Sequence, residues 1–355
     1  MSIASLKAAM REQDACALVF SEENGFYFTS FASTNGVLLV TADRAVYFTD
    51  SRYLEAARQT IASCDDILDL QSFETSVKPL LVSLGVKKIM IEGERLSVAR
   101  WQALKKALPD AVFDSEALDG IINGIRARKR GDEVEKIVKA QRIAEEALRL
   151  LLPQVKVGAV ERELALELDT TMRRLGAQDV SFETILISGK ETSKPHGVPS
   201  DKKIERGDFV TIDFGALYQG YHSDMTRTFA VGEVSDEMAR IYDTVLQAQL
   251  AGLVALAPGK VCRDVDKVSR DLIAAAGFGD RFGHGLGHSV GVEIHEYPYL
   301  NPRCDAVLQP GNVVTVEPGI YIPGFCGVRI EDMALITEAG FENLAVYPKE
   351  LIVLP

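Results

Sequence analysis

The chain has 355 residues, of which 47% are hydrophobic and 25% charged, and its net charge is -12. That length and composition fit a globular protein of two ordinary domains. The acidic balance leaves no basic stripe for nucleic acid, and no stretch reaches the roughly 18 apolar residues that a membrane helix needs.

The first residues, Met1 to Lys7, lack the apolar core and cleavage site of a secretory leader. Residues 1–125 read as an α/β unit. Positions 15–20 form a short apolar strand, and 36–41 and 45–49 form two more, joined by a tight turn at Ala42-Asp43-Arg44 and so paired as a hairpin. A helix is expected at 51–60 and a strand at 87–92. Val98, Trp101, Leu104 and Leu108 recur at helical spacing over 97–108, and Pro109 closes that helix. Residues 119–129 read as the boundary, and the basic run Arg126-Ala127-Arg128-Lys129-Arg130 as a solvated linker.

A second unit, 126–355, begins with a long helix at 132–152. Val134, Ile137, Gln141, Ala144, Leu148 and Leu151 give it one buried face. Another helix follows at 160–175, capped by Gly176. The texture then turns to strands at 183–188, 208–216, 225–231, 313–322 and 327–337, with helices at 235–256 and 262–276 between them. The five cysteines, Cys16, Cys64, Cys262, Cys304 and Cys326, are odd in number and form no CxxC pair. A reducing compartment, and hence a cytoplasmic protein, is expected.

The chemistry concentrates in the second unit. Asp213 and Asp224 flank a bend at Tyr218-Gln219-Gly220-Tyr221, so a hairpin would return one beside the other. Glu317 ends an apolar run before Pro318-Gly319, and Glu331 follows Arg329 by two. Apolar β-branched runs make buried strands, which do not hold ionised carboxylates without partners. Two readings stand for these four: pairing with cations such as Arg329, or metal binding, where two divalent ions would cancel four charges. All five histidines fall between residues 196 and 295. His288 and His295, seven apart in a glycine-rich loop, are candidate nitrogen ligands. His196 lies in loop sequence, while His222 and His284 read as structural. Four carboxylates with one histidine suit Mn²⁺ or Co²⁺, with Zn²⁺ or Fe²⁺ as competitors.

In order and type, Asp213, Asp224, His288, His295, Glu317 and Glu331 resemble the ligand pattern of the pita-bread metallopeptidases, which include the Xaa-Pro aminopeptidases, the Xaa-Pro dipeptidases (prolidases) and the methionine aminopeptidases. The likeness runs from about residue 130 to the end and rests on GHGLGHSVGVEIHE (283–296) and VEPGIYIPGFCGVRIED (316–332). FASTNGVLLV (31–40) and Asp50-Ser51-Arg52-Tyr53 resemble the creatinase-type N-terminal domain of the proline-specific branch. The resemblance implies an α/β N-terminal creatinase-like domain and an α+β pita-bread catalytic domain with a curved antiparallel sheet.

The resemblance also implies roles. Asp213 would chelate one metal, Asp224 and Glu331 bridge both, and His288 and Glu317 bind the other. Thr226 and Arg329 would hold ligand carboxylates in place. His196 and His295 would contact substrate, a hydroxide between the metals would attack, and Glu317 would carry the proton. The substrates would be short proline-containing peptides and the enzyme a homodimer. Some prolidases carry an Arg just after the HE-x-P segment that helps hold the dipeptide carboxylate. This chain has Tyr299 there, so tripeptides are expected to be cleaved at least as well as dipeptides. A methionine aminopeptidase-like enzyme and a non-catalytic peptide-binding protein on the same fold are the alternatives. A creatinase-like hydrolase is disfavoured, because such enzymes do without the metal set.

Overall fold

A computed structural model describes residues 2–355. The chain divides into two compact units between Arg126 and Ala127. In the first, the strands are β1 (Cys16–Val19), β2 (Gly36–Val40), β3 (Ala45–Thr49), β4 (Asp66–Asp69), β5 (Lys88–Ile91) and β6 (Val112–Asp114). They form a mixed sheet in the order β4-β3-β2-β1-β5-β6. The predicted β2–β3 hairpin is present, with Val37 opposite Phe48 and Leu39 opposite Val46. Both faces of β1 and β3 are buried, as expected where helices cover a sheet. The helices are α1 (Ser2–Gln13), α2 (Glu22–Thr29), α3 (Leu54–Thr60), α4 (Lys78–Ser83), α5 (Val98–Ala107) and α6 (Ala117–Ala127).

The segment read as a boundary is therefore largely α6, and the basic run is not a solvated linker. Arg126 and Lys129 are buried. The Arg126 guanidinium donates to Asn24 Oδ1 at 2.7 Å. Charge composition alone points to solvent; it cannot see the partners that draw two of these cations inside.

In the second unit, α7 (Gly131–Leu151) and α8 (Glu161–Arg174) pack their apolar faces on one sheet. That sheet contains β8 (Ile185–Ser188), β9 (Phe209–Phe214), β12 (Met225–Val231) and β20 (Val353–Leu354). A small sheet joins β7 (Asp179–Val180), β10 (Ala216–Tyr218) and β11 (Tyr221–His222). Helices α9 (Asp236–Ala255) and α10 (Cys262–Ala275) share a second core with strands from the C-terminal part of the chain. One sheet there runs β14 (Glu296–Leu300), β13 (Gly287–Ser289), β15 (Val313–Val316), β18 (Asp332–Thr337), β19 (Gly340–Asn343). The hairpin of β16 (Gly319–Ile322) and β17 (Cys326–Arg329) stands apart from it. An α/β unit followed by an α+β unit of largely antiparallel sheets is the architecture expected from the sequence. Among the described residues no helix is long and apolar enough to cross a membrane.

Two predicted strands are each broken in two. The 313–322 run stops at Glu317-Pro318, and 327–337 stops at Ile330-Glu331. Val316 pairs with Asp332 in one sheet, whereas Gly319 pairs with Arg329 in the other. Pro318 has no N–H to offer a ladder, which favours the change of sheet there. Both breaks carry an acidic side chain.

Arg227 on β12 is the fastening behind these breaks. Its guanidinium donates to Glu331 O at 2.6 Å, to Asp332 Oδ1 at 2.7 Å, to Tyr347 O at 2.8 Å and to Pro348 O at 2.9 Å. Its side chain is only 2% exposed. Removing it would leave the three carbonyls without this donor, at about 1–3 kcal/mol for each acceptor left unsatisfied, while Lys349 Nζ at 2.6 Å would still pair with Asp332. Arg227→Leu should therefore lower the thermal midpoint of the second unit by several degrees, measured by calorimetry. A midpoint within one degree of the parent would refute the assignment.

Candidate metal centre

Asp213 lies in β9, and Asp224 stands one residue before β12. The two strands pair with Asp213 opposite Thr226, which brings the carboxylates into one region. The β10–β11 turn that returns the chain uses positive φ at Gln219 (49°) and Gly220 (77°), the demand of a tight hairpin turn. His288 is the middle residue of β13. A Cβ on the preceding Gly287 would overlap the Thr315 carbonyl oxygen, so glycine there lets β13 approach β15 closely. Glu317 follows β15 directly, and Glu331 precedes β18 directly. The N–H groups at the two breaks are satisfied by Leu286 O (2.8 Å) and Thr226 O (3.1 Å).

These five side chains converge. One ligand atom each from Asp224, His288 and Glu331 lie within 4.8 Å of one another. His288 Nε2 is 3.4 Å from Asp224 Oδ2 and 3.3 Å from Glu317 Oε1. Asp213 joins through Arg329, whose Nη2 donates to Asp213 Oδ2 at 2.6 Å. The sequence left open an Arg329–Glu331 ion pair. The structure pairs Arg329 with Asp213 instead, and Glu331 Oε2 accepts the Thr226 hydroxyl at 2.7 Å. Thr226 Oγ1 also accepts from Arg329 Nε at 3.0 Å. Thr226 and Arg329 thus orient two of the carboxylates by direct hydrogen bonds.

The electrostatics are unbalanced. Burial drives the carboxyls of Asp224 and Glu331 well above their ordinary range, and the neighbouring carboxylates push them further. Asp213 is raised by burial despite Arg329. Burial also opposes the charged forms of Glu317 and His288, but their mutual contact outweighs it. Glu317 is held low and His288 is raised. Two carboxylate oxygens, Asp213 Oδ1 and Glu331 Oε1, are buried with no hydrogen-bond partner. Unpaired oxygens among mutually repelling carboxylates fit bound cations, and carboxylates with one imidazole suit divalent ions of intermediate hardness.

The cluster sits in a cleft of about 830 Å³, with Asp213, Asp224, His288, Glu317 and Glu331 on its wall. His196 and His295 line the same cleft and are exposed. The His295 ring meets the His288 ring edge-to-face at 4.4 Å. His222 holds Ser181 Oγ at 2.8 Å through Nδ1 and does not line the cleft. His284 does line it, and sequence reasoning had set it aside. Its Nε2 contacts the Tyr321 hydroxyl at 3.0 Å, and that hydroxyl accepts from Arg329 Nη1 at 2.9 Å. Tyr321 lies inside the VEPGIYIPGF run, but the hydrogen-bonded chain appears only once β16 and β17 pair. Arg303, also missed, lines the cleft four residues beyond Tyr299.

The chain matches the model of metallopeptidase family M24 over residues 135–338 and that of the creatinase/prolidase N-terminal domain over residues 3–128. A Xaa-Pro dipeptidase of Pyrococcus horikoshii is 37% identical over 95% of this chain and 94% of its own length. A Xaa-Pro dipeptidase structure from Bacillus anthracis superposes with a TM-score of 0.95 at 41% identity, covering 99% of both chains. An X-Pro aminopeptidase from Thermotoga maritima superposes with a TM-score of 0.92 at 35% identity, again over 99% of both.

Divalent ions entering this centre must displace protons. The raised carboxyls of Asp224 and Glu331 and the raised His288 each hold a proton in the metal-free protein at pH values where an ordinary group would have lost it. Metal affinity should therefore climb as pH rises from mild acid to about 9, the value to which His288 is pushed up. Calorimetric metal titrations in buffers of differing ionisation enthalpy should show net proton release. Affinity that is flat over that range, with no buffer dependence, would contradict the picture. Asp224→Asn or Glu331→Gln should also lower bound metal well below the parent's content by elemental analysis.

Proposed function

The chain belongs to metallopeptidase family M24, and from that membership we propose that it is a Xaa-Pro dipeptidase with a dinuclear centre. In this reading Asp213, Asp224, His288, Glu317 and Glu331 would hold the two ions, with Asp224 and Glu331 shared between them. Mn²⁺ or Co²⁺ is the preferred pair, ahead of Zn²⁺ or Fe²⁺. When bound, two such ions supply Lewis acidity and a water acidified toward neutral pH. The five cysteines, all unpaired, support a reducing cytoplasmic setting. A homodimer is part of the proposal and is testable by sedimentation.

The chain's own groups account for the remaining chemistry. A peptide nitrogen contributed by proline must gain a proton to leave as an amine. Glu317, on the cleft wall, would take a proton from the attacking water and deliver it to that nitrogen. Burial and the charge of His288 lower the His295 pKa, against the pull of Glu317. A neutral His295 can donate one N–H to the scissile carbonyl oxygen, and His196 faces the same space. Phe182, Ile185, Val198 and Ile294 give the cleft apolar wall for the proline ring.

Arg303 carries the choice of dipeptidase. The loop after His295 is not bare of positive charge, as Tyr299 suggested, because Arg303 lies on the cleft wall. Its N–H is fixed by Asn301 Oδ1 at 2.9 Å. Among the described residues its exposed guanidinium makes no ion pair. The other arginines of the cleft are engaged: Arg270 with Asp266, and Arg329 with Asp213. A free guanidinium on the wall of the same cleft suits the carboxylate of a dipeptide. The second reading, an aminopeptidase on longer peptides, is favoured by Tyr299 and by the breadth of the cleft.

Rates on a Xaa-Pro dipeptide, its C-terminal amide and a Xaa-Pro-Yaa tripeptide decide between them. A charge-assisted hydrogen bond contributes about 1.5–3 kcal/mol, so amidation should cut kcat/KM by roughly ten- to a hundredfold. Arg303→Ala should erase that preference. Equal cleavage of all three peptides by the parent enzyme would favour the aminopeptidase. His295→Ala should keep both metals and lose on the order of 10²–10⁴ in kcat. Loss of a metal in that variant, with none lost in His288→Ala, would mean the two histidines had been assigned the wrong way round.

A further inference from the structure

Lys129 belongs to the basic run that composition places in solvent, yet its side chain is 1% exposed. Its Nζ donates to Ser289 Oγ at 2.7 Å and to Glu296 Oε2 at 3.1 Å. Ser289 directly follows His288, and Glu296 directly follows His295. The same two residues are register partners across β13 and β14. One buried ammonium therefore closes the base of the 290–295 loop that ends in His295.

The strand ladder does little to fix that loop. His288 pairs with Tyr299 and the next residue, Ser289, with Glu296, so the register shifts between His288 and Ser289. A bulge of this kind interrupts the ladder and bends the strand, so pairing alone does not carry the chain across it. Lys129 ties both sides together at the irregularity.

Lys129 is itself held firmly. Its N–H donates to Gly311 O at 2.7 Å, and Asn312 Nδ2 donates to Ala127 O at 2.9 Å. Gly311 has φ +93°, and a Cβ there would lie 3.1 Å from Lys129 O. Glu296 is equally confined: its Oε1 accepts the Glu293 N–H at 3.1 Å, and a side chain on Gly291 would collide with its carboxylate. Buried ion pairs add little net stability over apolar packing, but they fix register where a ladder does not.

We propose that Lys129 is a positioning residue that sets His295 against His288 by clamping Ser289 and Glu296. The inference rests on the role given to His295 above. It predicts a defect in turnover rather than in binding, because the ligand carboxylates come from other strands and the His288 N–H is held independently by Thr315 Oγ1 at 3.0 Å.

The test compares Lys129→Met, Lys129→Arg and the double variant Lys129→Met/Glu296→Gln in the metal-loaded enzyme. The readouts are kcat, KM, bound metal and thermal midpoint. Lys129→Met should lower kcat ten- to a hundredfold, with KM within threefold and two metals retained. Its midpoint should fall, since the buried Glu296 carboxylate loses its ammonium partner. The double variant removes that carboxylate charge as well, so its midpoint should recover while kcat stays low. Lys129→Arg should regain part of kcat.

A kcat that recovers together with the midpoint in the double variant would overturn the proposal, leaving Lys129 a purely structural ion pair. So would a kcat for Lys129→Met within twofold of the parent. Should Lys129→Met fail to fold, the double variant decides alone: low kcat with two metals bound supports the clamp, and parental kcat refutes it. A parent enzyme inactive on every Xaa-Pro peptide would instead sink the functional reading, a separate outcome.

Discussion

Four carboxylates share one buried region with too few cations to neutralise them. Arg329 is the fixed positive partner, and His288 adds charge only while it holds a proton. In a protein interior each unpaired carboxylate is pushed toward its neutral form. A region that keeps all four, and leaves Asp213 Oδ1 and Glu331 Oε1 without hydrogen bonds, is built for external positive charge. The rest of the second unit can be understood as the scaffold that holds these groups against their repulsion.

That scaffold works through interrupted strands. Asp224, Glu317 and Glu331 each sit immediately outside a strand, so their backbones are held by the sheet while their side chains are free of the ladder. The break at Glu317-Pro318 sends the chain from the β15 sheet to the β16–β17 hairpin, and the break at Glu331 brings it back. Arg227 fastens the return by gripping the Glu331 carbonyl and the Asp332 carboxylate. On the other side of β12, Thr226 and Arg329 aim the carboxylates of Glu331 and Asp213. Rigid elements therefore supply the precision, while His196, His295 and Arg303 lie on the loops of the same cleft.

Much of this was legible in the sequence. A charged residue closing an apolar β-branched run stands out, and Asp213, Glu317 and Glu331 were visible that way. The paired strands around Asp224 followed from the Gln219-Gly220 turn. Helices α7 and α8 were legible from their apolar periodicity, whereas α2, with Gly25 and two leading glutamates, carries little periodic signal. The unbroken strands expected at 313–322 and 327–337 were wrong, since periodicity cannot report a change of sheet. Lys129 and Arg303 were hidden for opposite reasons. A lysine in a basic run reads as solvated, and only the folded chain brings Ser289 and Glu296 to it. Arg303 lies four residues past the position where an arginine was sought, and the turn at Asn301 is what returns it to the cleft.

The central claim is that the carboxylate cluster is a two-cation centre. Anomalous diffraction from crystals grown with Mn²⁺ tests it most directly. The account predicts two manganese peaks inside the cleft. One should lie against Asp213, the other against His288 and Glu317, and both should touch Asp224 and Glu331. A single peak at saturating Mn²⁺, or peaks that leave Asp224 and Glu331 untouched, would contradict it.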